Sequence, residues 1–534
     1  MATAELHKVG VPRARAPFEY APRLSWMQPS RVARLRGEFL AAERADLPAT
    51  SGNQSCTESE HGTMGTRAEN VPTMTFLSGT PAYLPLKAPA FDNARALSSA
   101  RALCALVFGP PGSRRFEVRY WDGTVESTIT SAPYTLIIHR AGALRRMLLP
   151  PNELTIIEAL LSGDVDIEGD VEQAMGMGDG INARLRNPAT LLAAFRHLRA
   201  LPKQEPIANV RALRSEHTVR GTGGLHQPER DRAAIRYHYD VGNDFYKLWL
   251  DERMLYSCAY FADGRDADAE LEDAQVAKLD IICRKLRLQP GQRLLDVGCG
   301  WGALIMHAAR KYGVTALGIT LSGAQAELAR TRIAAEGLSD CCRVEIRDYR
   351  HLGDIPPFDR MSSIGMVEHV GVGNLPMYFG ALYRALRPGG LLLNHGIVSV
   401  SEARPKPRWD FLEKRIWKRD VFLDQYVFPD GRLGPLSAVI AGAECVGFET
   451  RDVESLREHY ALTLRAWLTR LMRHRDEAIA LTDERTFRIW RAYMAGSAFG
   501  FATGRLNIVQ TLLSKPDDTG HTEVPLRRSD LLSS

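Results

Sequence analysis

The chain has 534 residues, 45% of them apolar, enough for a sizeable core and, by length, for two folded domains with loose chain besides. Its 68 basic and 63 acidic residues leave a net charge of +5, which suits an anionic membrane surface and falls well short of a nucleic-acid-binding balance. The eight cysteines (Cys56, Cys104, Cys258, Cys283, Cys299, Cys341, Cys342, Cys445) form no CxxC pair, which argues against a zinc site and a secreted disulfide scaffold, so no metal is expected. No apolar run approaches the roughly 18 residues of a membrane span, and the N-terminus has no apolar signal core. The expectation is a cytoplasmic protein that touches lipid only peripherally, at the inner face of the membrane.

Residues 1–90 include ATSGNQSCTESEHGTMGTRAEN, which has no apolar period and reads as a poorly ordered extension; Ser30–Ala45 could form one helix behind a Ser cap. Residues 91–200 read as a small α+β unit. Phe116, Val118 and Tyr120 alternate toward one face, Asp122-Gly123 supplies a turn, and YTLIIHR is a second strand. The stretch from Arg140 to Asp170 then mixes helical apolar spacing with turns. Arg140, Arg145 and Arg146 there are either a solvated helix face or a basic rim that docks on anionic lipid. Residues 201–230 are polar and rich in Pro and Gly, a linker. Residues 231–515 alternate strand and helix patterns, which predicts an α/β domain with a mostly parallel sheet, and 516–534 read as a loose tail.

Gln292–Gly313 opens that domain with an apolar strand, Asp296, glycines at 298, 300 and 302, and an amphipathic helix. Such glycines let a backbone approach a ligand at a helix N-terminus, beyond the carboxyl end of the first strand. The spacing is DxGCGxG, with Asp296 placed to attract an ammonium group, and it looks like the first motif of class I S-adenosylmethionine methyltransferases. The next strand ends in Thr320, Leu321, Ser322 and Gln325, neutral groups where most such enzymes place an acid for the ribose. The third ends in Asp348-Tyr349, suited to an adenine amino group and its flat face; core packing is the alternative for Tyr349. The series GQRLLDVG, TALGIT, RVEIRD, FDRMSSIG and GGLLLNHGIV completes a Rossmann-like strand set.

Two further stretches carry chemistry. SIGMVEHVGVG delivers Glu368 and His369 where an apolar strand ends, and Tyr237–Phe261 keeps a helical period to Leu250 before the aromatic segment Tyr256-Ser257-Cys258. The ordered motifs HYDVGNDFYKLWLD, YSCAYF, LLDVGCGWG, GITLS..Q, GMVEHVG and LNHGI resemble the cyclopropane-fatty-acyl-phospholipid synthases and their mycolic-acid relatives, over residues 230–510. The resemblance implies a class I methyltransferase that moves a methylene group from S-adenosylmethionine onto the cis double bond of acyl chains in intact phospholipid. It makes the 91–200 unit a lipid-binding domain. It implies a cofactor site of Tyr256, Ser257, Asp296, Gly298, Gly300, Gly302, Thr320, Leu321, Gln325, Asp348 and Tyr349. It also implies a bound bicarbonate as base, held by Cys258 (through its backbone), Glu368, His395, Ile397 and Tyr460, with Glu368 orienting that base rather than acting as one. His369 is expected to be structural.

Where many relatives carry a cysteine this chain has Ser497, expected to pack only. The aromatic segment Arg408–Gly431 is either a core helix or a lid lining an acyl tunnel. The resemblance leaves three other outcomes open: a methyl-branched product, methylation of a small amine by the same fold, or a non-catalytic lipid-binding protein, the last disfavoured because neither residue set has a gap. Expected partners are unsaturated phospholipid acyl chains and an anionic membrane surface, with a homodimer as an option and no nucleic acid.

Overall fold

The computed structural model describes residues 92–128, 131–150, 152–185, 187–203, 241–400, 426–427 and 433–528. The 1–90 extension with its Ser30–Ala45 helix, most of the 201–230 linker, and the aromatic segment Arg408–Gly431 apart from Tyr426 and Val427 lie outside the described residues.

Residues 92–203 build a four-stranded sheet in the order β2-β1-β3-β4, from β1 (Glu117–Arg119), β2 (Val125–Glu126), β3 (Tyr134–Ile138) and β4 (Val165–Gly169). The predicted alternation holds: Phe116, Val118 and Tyr120 are all buried. They share one core with Leu103, Cys104 and Val107 of the Asn93–Phe108 helix. The Asp122-Gly123 turn joins β1 to β2 as an antiparallel pair, with Gly123 at φ +87°. β1 instead runs parallel to β3, and β4 pairs antiparallel with β3. β4 departs from the helix-and-turn reading of its stretch; Val165 and Ile167 alternate into the core while Asp166 points away.

The three arginines of this unit do not form a free rim. Arg146 donates to Asp164 at 2.9 Å, Arg140 lies 3.6 Å from the same carboxylate, and the Asp164 side chain is fully buried. Arg145 donates to the Leu201 carbonyl at 2.9 Å, satisfying the open C-terminus of the Pro188–Ala200 helix.

The larger sheet has seven strands in the order β10-β11-β9-β8-β5-β6-β7. Its members are β5 (Arg293–Val297), β6 (Thr315–Thr320), β7 (Cys342–Ile346), β8 (Phe358–Ile364), β9 (Leu386–Ser399), β10 (Glu449–Ser455) and β11 (Leu506–Ser514). The first five are the predicted strands and pair in parallel; β11 enters antiparallel between β9 and β10. β5, β6, β8 and β9 are buried on both faces over most of their length, whereas the edge strands β7 and β10 are not. One face packs on the Ala267–Lys285 and Ala303–Tyr312 helices, the other on Leu375–Ala385 and Leu436–Glu444. Strand order reverses at β5, between β6 and β8, and a ligand crevice is expected beyond the carboxyl ends there.

Among its described residues, which begin at 241, the segment expected to be helical up to Leu250 holds a regular helix over Asn243–Lys247. Asp251 then accepts the amides of Arg253 and Leu255, and Met254 takes φ +57°, so the chain turns instead of continuing. The two sheets are bridged by the Glu484–Ala502 helix, whose Arg488 and Arg491 pair with Asp166 at 3.2 and 3.0 Å, and by Arg465, which grips Glu172 at 2.7 Å. The tail is less loose than its composition suggests: Glu523 accepts from Arg360 at 2.7 Å and Arg387 at 2.9 Å. Among the described residues no helix is long and apolar enough to cross a membrane.

Candidate active site

The glycine turn forms at the end of β5. Gly298 and Cys299 both donate to the Ile319 carbonyl, at 2.9 and 3.0 Å, which folds the turn over the neighbouring strand. Gly298, Gly300 and Gly302 all have positive φ, +80°, +53° and +82°. They differ in what a side chain would meet. At Gly298 a Cβ would strike the Met366 side chain, 2.6 Å from its sulfur, and at Gly302 it would crowd Ala329 at 3.3 Å, whereas at Gly300 nothing lies within 4 Å. Gly300 therefore lines an open cradle, and the other two are needed for packing.

Asp296 sits in β5 opposite Ser362 of β8, whose hydroxyl donates to it at 2.7 Å. Burial pushes its carboxyl up to about 6, opposed by that bond and by the Lys278 charge. Thr320 donates to Gln325 Oε1 at 2.8 Å, and Ser322 caps the following helix through the Gln325 amide. These groups stand with Leu321 at the carboxyl end of β6. Asp348 is already engaged: Arg350 meets its carboxylate through Nε at 2.8 Å and Nη2 at 2.9 Å, holding it below the usual carboxylate range against the penalty of burial. Tyr349 is buried edge-on to Tyr378 at 5.0 Å, with the Arg350 guanidinium 5.3 Å from its ring.

Tyr256, Ser257 and Cys258 are held by one helix. Gln275 Nε2 donates to the carbonyls of Leu255 and Ser257, at 3.2 and 3.1 Å, and one turn on Lys278 Nζ donates to Ser257 Oγ at 2.9 Å. Lys278 is fully buried, which lowers its pKa to about 8; Asp251, Cys258 and Asp296 act in the opposite direction. The Tyr256 ring stands in an aromatic wall, 5.2 Å from Trp467, 5.5 Å from Trp249 and 5.6 Å from Tyr246, with Trp301 5.3 Å beyond Tyr246. Such a wall can face a cation.

The second residue set gathers at the carboxyl ends of β8 and β9. Glu368 Oε1 accepts the Ile397 amide at 2.7 Å, and the missing side chain of Gly396 leaves room for the neighbouring Val367, which a Cβ there would strike at 2.2 Å. Burial pushes the Glu368 carboxyl up to about 7, against the Ile397 bond. His395 is buried and burial, with the Lys278 and Lys285 charges, lowers its pKa to about 3, so the ring is neutral. Cys258 reaches the same place through Leu456, whose amide donates to Ile508, the residue paired with Ile397. Burial drives the Cys258 thiol up, so it stays protonated and turns toward the Ala259 carbonyl at 3.3 Å. Tyr460 is buried, its ring 4.7 Å from Phe501.

Two buried side-chain atoms here have no partner among the described residues, Glu368 Oε2 and His395 Nε2. Burying such groups unpaired costs on the order of 1–3 kcal/mol each. The Ile397 amide is spent on Glu368 and contributes by fixing that carboxylate.

Tyr493 was not legible as part of this set. Its hydroxyl lies 3.2 Å from that of Tyr256; it also bonds with Tyr460 and feels the Glu368 charge, and burial raises its pKa to about 12. The sequence signal was its place one turn before Ser497, which is buried on the same helix. Lys278 and Gln510 were missed as well; each is a polar residue inside an apolar helix face or strand, a pattern that flags a buried partner.

Fold, glycine cradle and aromatic wall together define a class I methyltransferase built to hold S-adenosylmethionine. The sequence profile of the family described as mycolic acid cyclopropane synthetase matches residues 226–511. The chain is 40% identical over 415 residues to a probable fatty acid methyltransferase of Pseudomonas putida, covering 78% of this chain and 95% of that one. It is 37% identical over 283 residues to the cyclopropane-fatty-acyl-phospholipid synthase of Escherichia coli, covering 53% and 68% of the two chains. Among solved structures it is similar to a mycolic acid cyclopropane synthase complexed with SAH and CTAB, at 36% identity and a TM-score of 0.48 over 53% of this chain and 98% of that one. The chain belongs to the mycolic acid cyclopropane synthetase family, and is an S-adenosylmethionine-dependent methyltransferase.

Proposed function

We propose that this enzyme forms cyclopropane rings on cis-unsaturated acyl chains of phospholipids, using bicarbonate as the base. The observation that supports the reading is the pair of buried, unpartnered atoms Glu368 Oε2 and His395 Nε2, which suits a small oxyanion able to take the proton released in ring closure. S-adenosylmethionine supplies the electrophilic methyl group, and its site is read as the Gly300 cradle with Asp296 for the ammonium group, Thr320, Leu321 and Gln325 for the ribose, and Tyr256 and Ser257 beside the sulfonium. Asp348 would serve the adenine amino group through the remaining lone pair of Oδ2, with Tyr349 beneath.

The work of the protein is positional. An alkene is a weak nucleophile, so the aromatic wall must hold it in line with the methyl group. The same ring faces stabilise the positive charge that develops on the acyl chain and exclude water that would quench it. Glu368, raised by burial, is a fitting acceptor for a bicarbonate hydroxyl, while His395 Nε2, the Cys258 amide and Tyr460 supply donors to its oxygens.

Peripheral contact with an anionic bilayer is assigned to the Pro188–Ala200 helix. There Leu191, Leu192 and Phe195 are 48%, 55% and 43% exposed beside exposed Arg196, Arg199 and Lys203. Apolar insertion flanked by cations suits that surface. A second reading, a methyl-branched product, draws on the relatives named as probable fatty acid methyltransferases. The test is turnover on monounsaturated phospholipid vesicles in buffer stripped of carbon dioxide. Activity that falls on stripping and returns with added bicarbonate is expected; activity indifferent to it removes the bicarbonate assignment.

A further inference from the structure

Gln510 lies directly across from His395 in the antiparallel β9–β11 register, so the two side chains share one face of the sheet. Both are 1% exposed, and the Gln510 amide nitrogen lies 3.1 Å from His395 Nδ1. A carboxamide can turn either end toward a neighbour, but here the choice is made on its far side. Lys285 Nζ, also buried, stands 2.7 Å from Gln510 Oε1, and an ammonium has three donors and no acceptor. The end facing Lys285 must be the carbonyl oxygen, so the end facing His395 is the NH2 group. His395 Nδ1 can meet that donor only as a bare, accepting nitrogen, which leaves the proton of the neutral ring on Nε2. Lys285 is itself anchored by Glu454 of β10, which also accepts the Tyr260 hydroxyl at 3.2 Å.

We propose that Glu454, Lys285 and Gln510 form a relay, buried at Lys285 and Gln510, whose role is to fix His395 in the Nε2–H tautomer, making it an obligatory donor to an anionic oxygen in the active site. The tautomer follows from the hydrogen bonds alone; its use toward an oxyanion rests on the function proposed above. Lys285 and Gln510 touch no reacting atom in this scheme and are positioning residues. Without the relay the ring could carry its proton on Nδ1 and turn a lone pair toward the oxyanion, which would repel it.

The charged groups that act on His395 are Lys278 and Lys285 from the Ala267–Lys285 helix, with Glu454 behind Lys285. Gln510→Glu replaces the amide donor with a carboxylate that draws a proton onto Nδ1 and raises the imidazole pKa. Below that raised pKa the ring is doubly protonated and keeps Nε2–H. Above it the remaining proton stays on Nδ1 and the donor is lost. Activity of the variant should therefore fall by about tenfold or more as pH rises through the new pKa, the loss of one charge-assisted hydrogen bond. The parent should show no such fall from this group.

The decisive measurement is the 15N spectrum of the full-length protein labelled at its histidine imidazoles, with the His395 signals assigned by their loss in His395→Gln. A protonated Nε2 and a bare Nδ1 in the parent, inverted in Gln510→Glu, are expected. A parent ring protonated on Nδ1 overturns the relay whatever the variant does, and so does a folded Gln510→Glu variant whose pH profile parallels the parent. The spectrum needs no bicarbonate, so an Nε2–H ring in an enzyme indifferent to bicarbonate would leave the relay standing and remove only the oxyanion.

Discussion

Glu368→Gln separates the chemical from the structural role of this carboxylate. The amide oxygen can keep the 2.7 Å bond from the Ile397 amide, so the shape of the site is retained. The other oxygen becomes an NH2 group aimed where the proposed bicarbonate must donate, and an acceptor is replaced by a donor. Losing a hydrogen bond to a charged group costs about 2–3 kcal/mol, a fall of roughly 30- to 160-fold in turnover. Stability should move the other way. The carboxyl titrates at about 7 in the folded protein against 4.5 for its ordinary value. The folded state thus holds its proton while the unfolded chain releases it, and stability is lost as pH rises from 4.5 to 7. Gln removes this titration, so relative to the parent the variant should gain about 2 kcal/mol between pH 5 and pH 8. Thermal melts across that range, with a binding titration of S-adenosylmethionine at each pH, are the assay. A stability difference that does not change with pH would refute the burial argument. A matching loss of cofactor affinity would put Glu368 in the other pocket.

Gly300→Val places a branched side chain, at φ +53°, in the open cradle, and should abolish S-adenosylmethionine binding in calorimetry while the domain still melts cooperatively. Normal binding by the folded variant would show that the turn is not the site. Tyr493→Phe keeps the ring and removes the hydroxyl between Tyr256 and Tyr460; single-turnover rates should drop about tenfold with cofactor affinity unchanged. Replacing Arg140, Arg145 and Arg146 with Glu should lower the melting temperature, because a buried Asp164 loses its two arginine partners, at about 3–5 kcal/mol for such a pair. Replacing Leu191, Leu192 and Phe195 with Ser should leave the melt unchanged and weaken sedimentation with anionic vesicles.

The central parallel strands β5, β6 and β9 were legible because burial on both faces writes them largely apolar, the edge strand β7 through its alternation, and the glycine turn because backbone geometry demands its residues. β4 was not: five residues with two buried apolar positions carry too little period to stand out beside the helix before it. Arg140 and Arg146 looked free in sequence because Asp164, their partner, lies in a turn whose packing only the tertiary fold reveals. Glu368, His395 and Cys258 were readable through their motifs, but what holds them was not. Gln510 lies 115 positions from His395, and Lys285 lies 225 from Gln510, so no local pattern connects them. Tyr493 likewise meets Tyr256 across 237 positions.

The central claim, ring closure by deprotonation of the transferred methyl group, is tested most directly with S-adenosylmethionine bearing a trideuterated methyl, the purified enzyme, and vesicles of a monounsaturated phospholipid. Proton and deuterium NMR of the recovered lipid should show the olefinic signals gone, cyclopropane ring signals in their place, and a CD2 group in the ring, the third deuteron having left to the base. A CD3 branch, or a product with a retained or shifted alkene and no ring signal, would contradict the account.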